Sequence, residues 1–184
     1  MKIIETYIPD LLVIEPIVFK DPRGYFYESY NETRFFENNI KTRFVQDNES
    51  KSTKGTIRGL HYQMNPKAQT KLVRVIEGIV YDVAVDLRKG SPTFGKWHGE
   101  ILTADNKKQF FIPKGFAHGF SVLSETAIFV YKCDEFYSKE NERGIRYNDP
   151  FLNIDWKIAD DLVLVSEKDL QQPLFQQAEY NFTF

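Results

Sequence analysis

The sequence predicts an all-β protein, a small β-jelly roll with a few short helices. Three observations lead there. Aromatic residues make up 15% of the chain, which favours strands and ring-stacking surfaces over helical bundles. Short runs rich in β-branched and apolar residues recur along its length. Breakers separate the runs: Lys89-Gly90-Ser91-Pro92, Asp105-Asn106 and Pro113-Lys114-Gly115. Many short strands with turns at this spacing mean a sandwich or barrel, and a jelly roll fits best.

Taken in order, residues 11–19 read as strand, followed by residues 24–30 with Tyr25, Tyr27 and Ser29 on one face and Phe26, Glu28 and Tyr30 on the other. Residues 31–39, capped by Asn31 and carrying Phe35 and Phe36, read as helix. Further strands are expected at 44–50, 57–63, 71–76, 97–103, 109–112, 116–123 and 127–136. Residues 79–87 alternate, with Ile79, Tyr81, Val83, Val85 and Leu87 sharing a face opposite Asp82 and Asp86. A short helical turn follows Ser166. With no linker, repeat or low-complexity segment, residues 1–184 are expected to form one domain.

Bulk properties exclude several functions. The formal net charge of −2 gives no electrostatic reason to expect nucleic acid or an anionic membrane as partner. The single cysteine, Cys133, excludes an internal disulfide framework and a multi-thiolate zinc site. The first residues lack the apolar core of a signal peptide, and no run approaches the roughly 18 apolar residues of a membrane span. A cytoplasmic enzyme or binding protein is expected.

There is no G-x-G-x-x-G, no P-loop and no G-x-S-x-G elbow, so nicotinamide, nucleotide-hydrolysis and serine-hydrolase chemistry have no footing. What stands out is a polar run inside strand-like sequence: Gln46-Asp47-Asn48-Glu49-Ser50, then Arg58-Gly59-Leu60-His61-Tyr62-Gln63, then Lys71. Gln46, Asn48 and Ser50 share a strand face, which suits either a polar ligand or a solvated outer surface. A lone histidine in a β protein is more often structural than catalytic. Arg58, Lys71 and His118, in nearby or comparable apolar strands where unpaired charge is costly, turn the argument towards function for His61. His98 lacks such company and reads as surface or packing. Arg58 and His61 have opposite strand parity, so both can face one pocket only through a bulge or twist, most naturally at Gly59.

Gly55 with His61, and later Pro113-x-Gly115-x-x-His118, echo the two half-motifs of cupin jelly rolls. In metal-binding cupins the first half supplies H-x-H and an acidic ligand. Here Gln63 replaces the second histidine, and Lys67 and Ala68 stand where the carboxylate would be. That donor set is poor for a divalent ion, so neither metal nor other cofactor is expected.

The segments FKDPRGYFYESY, QDNESKS, GTIRGLHYQ, KLVRVIEGIVYDVAVDLRKGSPTFGKW, IPKGFAHGF, YKCDEFYSKENERGIRYNDP and SEKD resemble, in order, the dTDP-4-dehydrorhamnose 3,5-epimerase family. RGLHYQ together with PxGFAHGF is highly specific. The resemblance implies a cupin-type β-jelly roll acting without cofactor, as a homodimer with shared active sites, on a dTDP-4-keto-6-deoxyhexose in dTDP-rhamnose biosynthesis. It assigns the base to His61 with Asp169 as its carboxylate partner, the cation facing the keto oxygen to Lys71, and the acid to Tyr131. Substrate contacts fall on Arg23, Phe26, Glu28, Gln46, Asn48, Arg58, His118, Glu142 and Lys168, with Tyr137 stacking on thymine. Arg23, Phe26 and Glu28 are expected to reach the neighbouring subunit's site. Lys157 stands where many members have proline, and residues 170–184 match nothing usable.

The chemistry agrees. A ketone acidifies both flanking carbons, so one site can invert carbons 3 and 5, with a base on one ring face and an acid on the other. His61 is read as the only histidine that has both an enolate-stabilising lysine and a partner aspartate. Three readings stay open: a 3,5-epimerase, a relative inverting carbon 3 alone, and a cupin that binds carbohydrate without turnover.

Overall fold

The computed structural model describes residues 1–184. The chain begins with β1 (Lys2–Glu5), β2 (Leu12–Glu15), β3 (Phe19–Asp21), β4 (Gly24–Phe26) and helix α1 (Glu32–Glu37). The body follows as β5 (Gln46–Thr53), β6 (Ile57–Gln63), β7 (Lys71–Glu77), β8 (Ile79–Asp86), β9 (Trp97–Thr103), β10 (Gln109–Ile112), β11 (Phe116–Val122) and β12 (Thr126–Cys133). Short β13 (Glu142–Gly144) and helix α2 (Glu167–Leu170) complete it, with single 3-10 turns at Asp160–Leu162 and Phe175–Gln177.

The strands form a six-stranded sheet, β1-β2-β10-β7-β12-β5, a five-stranded sheet, β13-β6-β11-β8-β9, and a two-stranded ribbon of β3 and β4. Every named strand pair is antiparallel. This is the expected jelly roll. Between the two large sheets lies a core built on Val73, Val80, Leu102, Phe110, Phe120 and Phe129. A second apolar cluster covers the outer face of the five-stranded sheet, where Tyr81, Val83, Val85 and Leu87 meet Leu152, Trp156, Phe175 and Phe182 from the C-terminal segment. A third, smaller cluster sets Phe35 of α1 and Ile40 against Ile14, Leu72 and Phe111.

Strands β6, β9 and β10 begin and end where the sequence pattern predicts. Others are trimmed. The strand expected at 127–136 stops at Cys133, the one expected at 24–30 stops at Phe26, and 11–19 divides between β2 and β3. The alternation at 79–87 is real, but its second face is not solvated: Asp82 and Asp86 have no exposed surface. Both faces of β8 are covered, one by the opposing sheet and one by the C-terminal segment. Residues 170–184, silent in the sequence, supply Phe175 and Phe182 to that cover. His98 is half-buried near Tyr7 and Phe110, so it packs rather than lying free on the surface. Lys157 has φ near 60°, a conformation closed to proline.

At the end of β8 the chain holds a buried ionic knot. Arg88 donates from Nε and Nη2 to the two carboxylate oxygens of Asp86, each at 2.9 Å, and from Nη1 to Asp10 at 2.7 Å. Ser91 and Thr93 donate their hydroxyls to Asp86 Oδ2 at 2.6 and 2.8 Å. The guanidinium lies 4.6 Å from the Phe116 ring centroid and 4.8 Å from that of Phe184, the last residue. Burial alone would raise the Asp86 pKa, but the bonds from Arg88, Ser91 and Thr93 hold it below the usual carboxylate range. A depressed folded pKa stabilises the protein above the unfolded carboxylate pKa, and that contribution is lost as acid protonates the folded group. Asp86→Ala strands Arg88 without its partner and should cost about 3–5 kcal/mol in urea unfolding at neutral pH. A loss under about 1 kcal/mol would mean that the knot does not hold this corner.

Candidate active site

The polar run of the sequence lines one cavity. β6 and β11 approach so closely that a Cβ on Gly59 would stand 2.5 Å from Gly119 Cα, and Gly59 has φ near 137°. Only glycine accepts both constraints. Pairing in this stretch jumps from His118↔His61 to Phe120↔Arg58, so β6 spends one residue more than β11. That bulge is the device the parity of Arg58 and His61 requires, and both residues line the same cavity of about 570 Å³.

The cavity also receives Lys71 from β7, His118 from β11, Tyr131 from β12 and Asn48 from β5. Lys168 and Asp169 enter from α2. On β5, Gln46, Asn48, Ser50 and Ser52 turn inward while Asp47, Glu49 and Lys51 are exposed, so the polar row faces the interior and not bulk solvent. Gln46 acts one step back: its Oε1 accepts the Tyr137 N–H and its Nε2 donates to Asn48 Oδ1, each at 3.0 Å. Near Lys168, Glu142 accepts from Lys168 Nζ at 2.7 Å and from the Tyr137 hydroxyl at 2.9 Å.

His61 Nε2 lies 2.5 Å from Asp169 Oδ1, and Asp169 is buried. Burial pushes the Asp169 pKa up, but the His61 bond and charge and the Gly59 N–H hold it below the ordinary value. An ionised Asp169 accepts a proton-bearing Nε2, which leaves the lone pair of neutral His61 on Nδ1. Lys71 Nζ sits 5.9 Å from the Tyr131 ring centroid. Burial lowers its pKa, with Cys133, Asp82 and Glu142 pulling partly back. Burial raises the pKa of the Tyr131 phenol, which therefore keeps its proton at neutral pH. Cys133, paired with Lys71 across the sheet, is likewise pushed up, to about 11 by burial, and stays a thiol.

One expectation is overturned. His61 is not the only histidine with a carboxylate and a lysine nearby, because His118 Nε2 lies 3.0 Å from both oxygens of buried Asp82, and Lys71 acts on both groups electrostatically. Burial lowers the His118 pKa against the pull of Asp82, so this imidazole stays neutral at neutral pH. Sequence reasoning missed Asp82. The signal was there: a carboxylate in the middle of an apolar strand needs a buried partner. Ser52, which accepts from Arg58 Nε at 3.0 Å, was missed as well.

Three expected substrate contacts lie away from this cavity. Arg23 is paired with Asp21, Glu28 with Arg34, and Phe26 stands in the open on β4. No group of three or more His, Cys, Asp and Glu side chains is gathered where a metal ion could be held.

The sequence model of the dTDP-4-dehydrorhamnose 3,5-epimerase family matches residues 5–177. The chain is 56% identical to the enzyme of that name from Shigella flexneri, over 98% of this chain and 99% of the relative. It superposes with a TM-score of 0.92, at 53% identity, on the dTDP-6-deoxy-D-glucose-3,5-epimerase of Legionella pneumophila, solved in complex with dTDP-4-keto-L-rhamnose. That match covers 96% of this chain and 93% of the other. A 3'-monoepimerase from Streptomyces bikiniensis, solved with dTDP-quinovose, matches at 30% identity and a TM-score of 0.84, over 92% of this chain and 85% of that one. Agreement along nearly the whole sequence and the whole fold means that this chain belongs to the dTDP-4-dehydrorhamnose 3,5-epimerase family.

Proposed function

We propose that this protein inverts carbons 3 and 5 of dTDP-4-dehydro-6-deoxy-glucose to give dTDP-4-dehydro-rhamnose. The observation that carries the reading is the His61–Asp169 pair sharing one cavity with Tyr131 and Lys71. Nδ1 of His61 removes a proton from a carbon beside the ketone, and the electron pair moves onto the keto oxygen. Lys71 faces that oxygen. A cation left short of negative charge by burial gains most from an oxyanion formed beside it. The Tyr131 phenol delivers a proton to the opposite face of the same carbon, which inverts it. Histidine then holds one proton too many and tyrosine one too few, and exchange with water resets both before the second carbon reacts. His118, fixed by Asp82, donates or accepts as a neutral partner to a sugar oxygen.

Arg58 and Lys168 bind the diphosphate, Asn48 and Gln46 the nucleotide side, and Tyr137 stacks on thymine beside Glu142. Arg23, Phe26 and Glu28 serve the site of a second copy. The β3–β4 ribbon that carries the first two leaves Phe19, Tyr25 and Phe26 more than half exposed, as suits an arm that a partner covers. Residues 1–184 act as one domain, in the cytoplasm, without metal or other cofactor. Double inversion is favoured over inversion at carbon 3 alone by the 53% identity to the Legionella 3,5-epimerase against 30% to the monoepimerase. A binding module without turnover has no use for a base and an opposed acid.

In deuterated water the wild-type enzyme should place deuterium at both carbons of the 4-keto sugar nucleotide, and His61→Ala should lower exchange at both by about 10³-fold. Exchange at one carbon only in wild type would leave the monoepimerase reading. Tyr131→Phe removes one hydroxyl, so about 0.5–1.5 kcal/mol of stability is at stake. Its turnover should fall about 10²-fold while His61 still exchanges protons. A Tyr131→Phe enzyme inverting at the normal rate would remove Tyr131 from the reaction. For the shared site, His61→Ala and Arg23→Ala chains, each impaired alone, should on subunit exchange recover about a quarter of wild-type activity, since half of the dimers then hold one intact site. No recovery would mean that each chain completes its own site.

A further inference from the structure

The carboxylate of the base pair and the lysine next to it sit on a helix of only four residues. Such a turn does not hold itself together by its own hydrogen bonds. Its flanks are anchored. Before it, Leu164 donates to Gly55 O and accepts from Ile57 N–H, each at 2.9 Å, pinning the chain to the entry of β6. Behind it, Pro173 O accepts from Arg146 N–H at 2.9 Å. Between these anchors one side chain within the turn bonds the turn's own backbone, and it forms the cap. Ser166, extended at φ −67° and ψ 151°, accepts the Asp169 N–H on its hydroxyl oxygen at 3.1 Å. The residue so fixed is Asp169 itself, whose carboxylate reaches His61 Nε2 at 2.5 Å and approaches the Gly59 N–H at 3.5 Å. One residue earlier, Lys168 points to Glu142 at 2.7 Å.

We propose that Ser166 is a positioning residue, whose side-chain cap on α2 fixes both the carboxylate that orients His61 and the lysine that meets the substrate's anionic end. This rests on the catalytic reading above. Ser166 touches neither His61 nor Lys168 in the hydrogen-bond pattern; it acts through the backbone that carries their partners. Losing the cap leaves Asp169 free to swing by a fraction of its reach, which costs orientation of the imidazole without unfolding the protein. Ser166 is exposed, so its replacement leaves the core untouched.

Ser166→Ala should fold normally, with kcat down about tenfold and KM for the sugar nucleotide up several-fold, because both functions hang from one turn. Ser166→Thr and Ser166→Asn, which keep a capping oxygen, should return both constants to within about threefold of wild type. In parallel, the imidazole ¹⁵N–¹H spectrum of the protein without substrate should show the His61 Nε2–H bonded to carboxylate in the wild type, Thr and Asn forms, and weakened in Ala. Wild-type constants and spectrum in Ser166→Ala would overturn the proposal. So would Thr and Asn forms as impaired as Ala, since the hydroxyl would then act on substrate directly. The spectrum separates the two readings: a cap-dependent His61 signal in a protein that never turns over the 4-keto sugar would sink the epimerase reading while upholding the positioning role.

Discussion

The site depends on how closely two strands approach at Gly59 and Gly119. The absence of side chains there lets β6 and β11 nearly touch, and the extra residue that β6 takes up turns Arg58 and His61 to the same side. A regular ladder would send one of them to the outer face, where the C-terminal segment packs. The same approach brings the Gly59 N–H towards Asp169, so the backbone distortion that gathers Arg58 and His61 also helps to hold the carboxylate paired with His61. The placement of Arg58, of His61 and of the Asp169 carboxylate therefore shares one local deformation of an otherwise ordinary sheet.

Around that deformation, burial moves several ionisable groups towards neutrality. It pushes Lys71 and His118 down, and Tyr131, Asp82 and Cys133 up. Where burial penalises charge in this way the surroundings are poorly solvated, and a negative charge formed beside the buried Lys71 would be felt strongly by it. Asp169 escapes the trend because His61 and a backbone amide compensate its charge. The two His–Asp pairs thus differ in kind. The pair at His61 reaches the surface through its histidine, and the pair at His118 is closed off on both sides.

Much of this was legible in the residues. Short β-branched and aromatic runs delimited β6, β9 and β10 to the residue. The parity conflict between Arg58 and His61 announced the bulge before any coordinates, and Gly59 marked its place. What local pattern does not carry is long-range cover. Nothing near residues 79–87 says that Phe175 and Phe182, far along the chain, will cover the Tyr81, Val83, Val85 and Leu87 face of β8. Asp82 read as merely opposite the apolar row, because its partner His118 lies 36 residues away on a neighbouring strand. Asp169 could be linked to His61 only through family resemblance, since more than a hundred positions separate them. Short β1 and β13 were missed because three or four residues hold too little alternation to register.

The C-terminal cover has a consequence for how the protein is made. Synthesis runs from the N-terminus, and domains emerge into the cell in that order. Both sheets are out of the ribosome while Tyr81, Val83, Val85 and Leu87 still lack Phe175 and Phe182 above them, and while Arg88 still lacks the ring of Phe184. The nascent barrel therefore shows an apolar flank until the segment with Phe175 and Phe182 has emerged. Asp169 leaves the ribosome in the same late stretch, so the flank is closed and His61 acquires its carboxylate partner at nearly the same moment.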